Sequence, residues 1–393
     1  LVQVNLLCAD KGVLDDLEKI RELDKSGMVE HCLNLPSYCI DAVNLSKRGV
    51  QRFKSKLSSW KGKINSIILA GMGGSAIGGD LLKEWAREKL DVPMEVYRDY
   101  SLPKYADEDT LVFTVSYSGM TEETLSAFID ALQKGCKVVA VTSGGRLKEF
   151  AEKAKAPLIM IPAGMPPRAA LPYLLLPQMF VLQELGLVKG LDEELGETVS
   201  ILNGLKERVK PEVPTESNES KKLASVVFGT VPLVLGYGPL KPVAERFKTQ
   251  FNENSKSLGF SSYFPELDHN LIMGWEPEDP ITKLFTVILL RSRNEPKEIK
   301  SRIEVTSSLA FSKSSKVFEV YCLGDSILAN MLSAILVGDL ASVYLAILRG
   351  IDPTPVKTIE KLKAEIAAKS ASIRSLELKF EGLILQSLRD DKV

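Results

Sequence analysis

Ile67-Ile68-Leu69-Ala70-Gly71-Met72-Gly73-Gly74-Ser75-Ala76-Ile77-Gly78-Gly79-Asp80 decides the fold: an apolar run empties into glycines and a serine, then continues as an amphipathic helix. Glycines let the backbone turn tightly and approach a ligand, and the positive end of the following helix favours an anion. A second such turn follows Leu111-Val112-Phe113-Thr114-Val115, where Ser116-Tyr117-Ser118-Gly119-Met120-Thr121 crowds hydroxyls ahead of another helix. Two turns of this kind in one α/β unit point to a phosphorylated sugar as ligand. Glycines alone also serve a plain strand-to-helix connection, but hydroxyls at both turns argue for more. A dinucleotide is disfavoured, because Ala76 stands where the third glycine of that pattern would be and the next strand ends in Val96-Tyr97-Arg98 with no clear acidic partner for a ribose.

Working outward, β-branched runs at 65–70, 93–97, 110–116, 137–142 and 157–161 alternate with helical stretches, the pattern of a parallel sheet with helices on both faces. This first domain is expected over 61–187. Residues 1–60 read as a helical lead-in, with Leu14, Leu17, Ile20 and Leu23 on one face. Residues 188–222 are polar, carry Pro211 and Pro214, and read as a connection containing some helix. The pattern returns over 223–350: Val231 to Gly238 runs into a helix from 240, with strands at 283–291 and 317–323 and a helix at 326–349. Residues 351–393 read as a helical tail, with Ile359, Leu362 and Ile366 along one face. Ligands of such sheets sit beyond the carboxyl ends of the strands, so both glycine turns are expected to face one cleft.

Composition sets the bounds. The 393 residues are 45% hydrophobic, enough for more than one core, and 50 basic against 51 acidic residues leave a net charge of −1. Nothing in that balance argues for nucleic acid or an anionic membrane. Cys8, Cys32, Cys39, Cys136 and Cys322 form neither a C-x-x-C pair nor an even framework, which argues against disulfides and zinc and fits a reducing compartment. No apolar run is expected to reach the roughly 18 residues of a membrane span, and Leu1 to Asp10 lacks the basic flank and cleavage site of a signal peptide, so a cytoplasmic location is expected.

Three further segments carry chemistry. Gln250-Phe251-Asn252-Glu253-Asn254-Ser255-Lys256 gathers amides, a carboxylate and a lysine at a helix end, where a solvated cap is the bland reading. His269, one of two histidines, lies in Pro265-Glu266-Leu267-Asp268-His269-Asn270, a loop suited to a proton shuttle, whereas His31 sits on the helical lead-in and reads as structural. In Pro166-Pro167-Arg168-Ala169-Ala170-Leu171-Pro172 the prolines stiffen the chain around one arginine, which either faces solvent or meets developing negative charge.

In this order the segments resemble the bifunctional phosphoglucose/phosphomannose isomerases, a family built from two sugar isomerase (SIS) domains. The resemblance spans nearly the whole chain through Leu23-Asp24-Lys25-Ser26-Gly27-Met28, Gly71 to Ser75, Ser116-Tyr117-Ser118-Gly119, Pro167-Arg168-Ala169-Ala170-Leu171-Pro172, Phe251-Asn252-Glu253-Asn254, His269-Asn270 and Ile359-x-x-Leu362-Lys363. It implies an α/β fold of two tandem SIS-type, doubly wound parallel-sheet domains. It also implies reversible aldose–ketose conversion of six-carbon sugar phosphates with fructose 6-phosphate as the shared ketose, and neither metal nor other cofactor. By the same resemblance Gly73, Gly74, Ser75, Ser116, Ser118 and Thr121 hold the phosphate, and Glu253 moves the proton between C1 and C2. Arg168 steadies the enediolate, His269 assists ring opening, and Lys363 lies near the ring oxygen, with Lys357 the alternative if the tail register shifts. A homodimer with His269 supplied across the interface is implied as well. Met120 replaces an asparagine common in the family, and Val356 aligns with its threonine linked to mannose tolerance, although Thr354 and Thr358 are close; the departure bears on the mannose activity. Two rivals remain. A non-catalytic SIS module that binds a sugar phosphate and regulates a partner would keep the hydroxyl turns and dispense with Glu253, Arg168 and His269. An isomerase of another sugar phosphate would keep them all.

Overall fold

The computed structural model describes residues 11–277, 279–370 and 372–390; Cys8 and the start Leu1 to Asp10 lie outside them. The lead-in comprises α1 (Leu17–Leu23), α2 (Met28–Leu33), α3 (Leu35–Arg52) and α4 (Lys54–Ser58). Asp16 starts α1 by accepting the N–H groups of Glu18 and Lys19 at 3.0 Å each, a side-chain cap for donors the helix cannot satisfy itself. The chain then runs β1 (Ser66–Gly71), α5 (Gly74–Ala86), β2 (Met94–Tyr97), β3 (Thr110–Ser116), α6 (Glu122–Gln133), β4 (Lys137–Thr142), α7 (Gly145–Lys153), β5 (Leu158–Met160) and α8 (Leu171–Glu184). These strands form a parallel sheet in the order β2-β1-β3-β4-β5, with Ala70 beside Tyr97 on one side and Thr114 on the other. β1 and β3 are buried along their whole length, which is why their sequences are apolar runs without alternation.

Next come α9 (Leu191–Val209), α10 (Glu219–Val227), β6 (Val231–Tyr237), α11 (Lys241–Glu253), β7 (Phe260–Phe264), β8 (Phe285–Arg291), α12 (Lys297–Leu309), β9 (Lys316–Tyr321) and α13 (Ile327–Leu348), followed by α14 (Lys357–Ser370) and α15 (Ser372–Asp390). The second sheet is also parallel, in the order β7-β6-β8-β9. Two differences from the sequence reading stand out. Strand β7 went unread because it is an edge strand with polar Ser261 and Ser262 at its middle and exposed Phe260 and Tyr263. The stretch read as a connection is largely α9 and the start of α10; acids Asp192, Glu193 and Glu194 in the first turn of α9 and Lys206 and Arg208 in its last suit the helix dipole.

The chain divides into two compact units that do not follow chain order. One, the first-sheet unit, takes Ser37 to Leu191 and the chain from Val356 on; the other, the second-sheet unit, takes the chain up to Pro36 and Asp192 to Pro355. In the first-sheet unit, fully buried Phe380 of α15 stacks on Phe150 with ring centroids 4.0 Å apart and lies 6.3 Å from Phe128. Leu376, Leu383 and Ile384 flank it, and Arg146 Nε meets Glu377 Oε1 at 2.5 Å. Helix α14, by contrast, buries no residue, so the face of Ile359, Leu362 and Ile366 stays exposed.

In the second-sheet unit α13 corrects an expectation. At 22 residues it is long and apolar enough to cross a membrane, yet nearly all of those residues are buried within the protein. It packs against α10, α11 and α2, and a helix surrounded on all sides is apolar all round. Its acid, Asp339, is nearly buried and paired with Arg246 of α11, through Nε at 3.1 Å and a terminal nitrogen at 2.6 Å.

Candidate active site

In the first-sheet unit the two turns meet at the carboxyl ends of β1 and β3. Gly73 adopts a positive φ of 52°, and a Cβ on Gly74 would lie 3.4 Å from the Pro167 carbonyl oxygen, so these glycines let the loop carrying Arg168 press on the start of α5. Ser75 is buried, and its Oγ accepts the Tyr117 N–H at 3.3 Å, joining the first turn to the second. Ser116 Oγ accepts the Gly119 N–H at 3.1 Å and shares a hydrogen bond with Thr121 Oγ1 at 2.9 Å. Ser118 is exposed at the rim, its Oγ accepting the Met120 N–H at 3.2 Å. Neither Gly73 at the start of α5 nor Thr121 at the start of α6 caps its helix with a side chain, which leaves the helix dipoles to an incoming anion.

Arg168 sits in the 3-10 turn Pro167–Ala169 and is 4% exposed. Tyr117 Oη accepts the Met165 N–H at 2.9 Å and so straps the arginine loop to the second turn; burial pushes the phenol up from its ordinary value and keeps it protonated. The structure thus gathers Gly73, Gly74, Ser75, Ser116, Thr121 and Arg168 in one region of this unit, with Tyr117 as the strut. Tyr117 was within the quoted motif but unassigned, since only the fold brings Met165 to it. Lys363 belongs to the same unit but lies on α14, exposed, with no hydrogen bond or ion pair among the described residues.

Glu253 and His269 belong to the second-sheet unit. Glu253 ends α11 and is half-buried. Its helix is held to α13 by the Arg246–Asp339 pair and by Asn254 Nδ2 donating to Ser342 Oγ at 2.9 Å, while Asn252 Oδ1 accepts the Gly259 N–H at 3.1 Å. His269 is exposed at the end of the 3-10 turn Glu266–His269. That turn is anchored on α12 by Asp268, which accepts Thr306 Oγ1 at 2.8 Å and an Arg302 guanidinium nitrogen at 3.1 Å. These anchors lay beyond sequence reasoning, because each joins positions far apart in the chain.

The second-sheet unit has its own strand-to-helix turns, and internal acids fill two of them. After β8 the Glu295 side chain, 4% exposed, accepts the Ser292 N–H at 2.9 Å and pairs with Arg291 at 2.7 and 2.9 Å. Arg291 also meets Glu319, and the Glu295 carboxylate is the main cause of its raised pKa. Glu197 of α9 likewise accepts the N–H groups of Asp325, at 2.6 Å, and Ser326, at 3.1 Å, in the turn before α13. The turn after β6 is Gly238-Pro239-Leu240, whose proline has no N–H to offer.

Among the described residues no group of three or more His, Cys, Asp or Glu is placed to hold a metal ion. Cys39, Cys136 and Cys322 are buried, and burial pushes their thiols up to about 12, 11 and 12, so they are not nucleophiles near neutrality.

Residues 62–185 match the family described as SIS domain, and residues 216–366 match the bacterial phospho-glucose isomerase C-terminal SIS domain. The chain is 43% identical to the bifunctional phosphoglucose/phosphomannose isomerase of Caldicellulosiruptor bescii over 86% of its own length and 99% of that protein. It is 31% identical to the D-glucosamine-6-phosphate 4-epimerase of Sulfolobus acidocaldarius, covering 76% of this chain and 88% of that one. Among solved structures, the C-terminal domain of glucosamine-fructose-6-phosphate aminotransferase from Francisella tularensis superposes with a TM-score of 0.63 at 17% identity, over 84% of this chain and 98% of that one. That likeness shows the fold.

Proposed function

Because the chain belongs to the bifunctional phosphoglucose/phosphomannose isomerase family, we propose that it interconverts glucose 6-phosphate and mannose 6-phosphate with fructose 6-phosphate. The observation that carries this reading is the 43% identity to a protein of that name along almost its entire length.

In this reading the sugar's phosphate is held by the backbone of Gly73 and Gly74 and by the hydroxyls of Ser75, Ser116, Ser118 and Thr121. Several weak donors around a doubly charged group, aided by two helix starts, replace the lysine or arginine cluster that a basic protein would use. His269 assists opening of the ring. The Glu253 carboxylate then takes the proton from C2 of the open-chain aldose, and the electron pair left on C2 closes the C1–C2 double bond while the carbonyl electrons move onto O1. Returning the proton to C1, with the O2 proton passing to O1, yields the ketose. Both epimeric aldoses give the same enediolate, since C2 is planar in it. Arg168, held nearly dry, is the fixed cation that favours this intermediate. A base and a cation suffice for the proton transfer, so the reaction runs without added metal. Lys363 or Lys357 is assigned to the ring oxygen; a homodimer that shares His269 and a cytoplasmic location belong to the same reading.

The test is incubation of the purified protein with fructose 6-phosphate and EDTA, following both aldoses separately. Formation of both is expected. Glucose 6-phosphate alone would direct attention to Val356, and neither product, with binding retained, would favour the regulatory module. The kinship to a glucosamine-6-phosphate epimerase makes amino sugar phosphates the second substrates to assay.

A further inference from the structure

Lys256 stands just past the end of α11 and of Glu253, with a backbone φ of +51°. Only one other non-glycine residue among those described, Lys155, has a positive φ, whereas the stops of α6, α8 and α13 place Gly135, Gly186 and Gly350 in that conformation. A Cβ is unfavourable in the left-handed region, so a side chain retained there raises the question of its use. The Lys256 ammonium donates to three main-chain carbonyls: Asn254 at 3.2 Å, Asp352 at 3.2 Å and Pro353 at 2.8 Å. Thr354 N–H donates to Asp352 Oδ1 at 2.9 Å, closing the turn that the ammonium grips. One cation therefore sits at the negative end of α11 and ties to it a segment from much later in the same unit.

We propose that Lys256 is a positioning residue for Glu253. Asn254, whose carbonyl it holds, directly follows Glu253, and the side chain of Asn254 is fixed to Ser342 of α13. With the ammonium on one side and α13 on the other, the last turn of α11 has a single direction in which to present the carboxylate. The need for this is chemical: one carboxylate must serve C1 and C2 in turn, and a displacement of about 1 Å can cost about 100-fold in rate. The role rests on the isomerase reading above, and its test separates the two.

Lys256→Met removes the ammonium and keeps the stem. Its kcat for fructose 6-phosphate should fall about 10- to 100-fold with KM nearly unchanged, because phosphate binding does not depend on the lysine. Lys256→Arg, still able to donate to the three carbonyls, should recover much of the rate. Lys256→Gly relaxes the backbone and should stay as slow as the methionine variant; recovery in the glycine variant would overturn the role, as would a methionine variant within about twofold of wild type. Amide hydrogen exchange at Asp352 and Thr354 is followed alongside, without substrate. Faster exchange in Lys256→Met is expected, and unchanged protection overturns the grip whatever the activity. Wild type and Glu253→Gln are assayed in parallel: an inactive wild type, or an active Glu253→Gln, removes the isomerase reading or its base and with it the positioning role, while exchange still decides the grip.

Discussion

The turns that close β3 and β8 stand at matching places in the two sheets, each leaving the strand beside β1 or β6, and they are finished in opposite ways. After β3 the chain supplies hydroxyls, Ser116, Ser118 and Thr121, and starts α6 without a side-chain cap. After β8 it supplies Glu295, a carboxylate that already accepts a turn amide and neutralises a buried arginine. Glu197 takes the amides of the turn ahead of α13, with no arginine involved among the described residues. One architecture thus leaves a turn without a side-chain cap after β3, and makes a sealed joint after β8 where an internal acid takes the turn amide. The lesson is that such a turn is left open or closed by what the chain supplies to it, and if the proposed function holds, one sugar phosphate per chain is the expected stoichiometry.

The largest effect expected is on the unit with the hydroxyl turns. Phe380→Ala should lower its stability by about 3–5 kcal/mol in denaturant unfolding, because the ring fills a closed cluster with Phe128 and Phe150. Exchange in β6 and β8 should change far less; an equal rise there would show that the two units cannot be weighed separately. Next, Glu295→Ala should cost about 3 kcal/mol by stranding Arg291 beside a single remaining acid, Glu319. Its affinity for fructose 6-phosphate should stay unchanged in calorimetry with one site per chain, and a second site in the wild type would sink the comparison. Ser116→Ala removes a hydroxyl that orders the open turn, so binding should weaken about tenfold, whereas Ser292→Ala, its counterpart after β8, should leave affinity unaltered.

The smallest effect is a pH dependence. The Ser326 hydroxyl, followed by the Asp325 and Ser326 N–H groups, holds Glu197 below its ordinary value of 4.5. A carboxylate with a depressed folded-state pKa contributes stability that is complete above the unfolded value and is lost as pH falls through the folded one. The stability difference between wild type and Glu197→Gln should therefore be constant near neutrality and shrink on acidification below 4.5. A constant difference across the acid range would mean that Glu197 fills space at that turn without serving as its anion.

Much of this was legible in the chain, and the exceptions share a cause. The first sheet could be read because its strands are unbroken apolar runs that end in glycine or serine, the mark of strands buried on both faces. β7 could not, since an edge strand carries serines and exposed aromatics without cost to the core. The hydroxyl turns and Arg168 were visible as local clusters, and the structure places them in one region. Lys256, Glu197 and Asp268 were invisible as anchors because their partners are set by tertiary contacts with distant positions. Glu295 was hidden differently: its partners are adjacent, but nothing local tells a buried carboxylate from a solvated one.

Phe380 also has a consequence for the order in which the molecule can be made. Phe128 and Phe150 are made before the second sheet is begun, whereas the ring that closes over them follows the whole of that sheet. Domains usually fold as they leave the ribosome, first-made first. Here the unit whose sheet is begun first is completed last, and until then it presents two aromatic rings and their apolar neighbours to water. The interval between those events is when the nascent protein is most open to aggregation or to a chaperone.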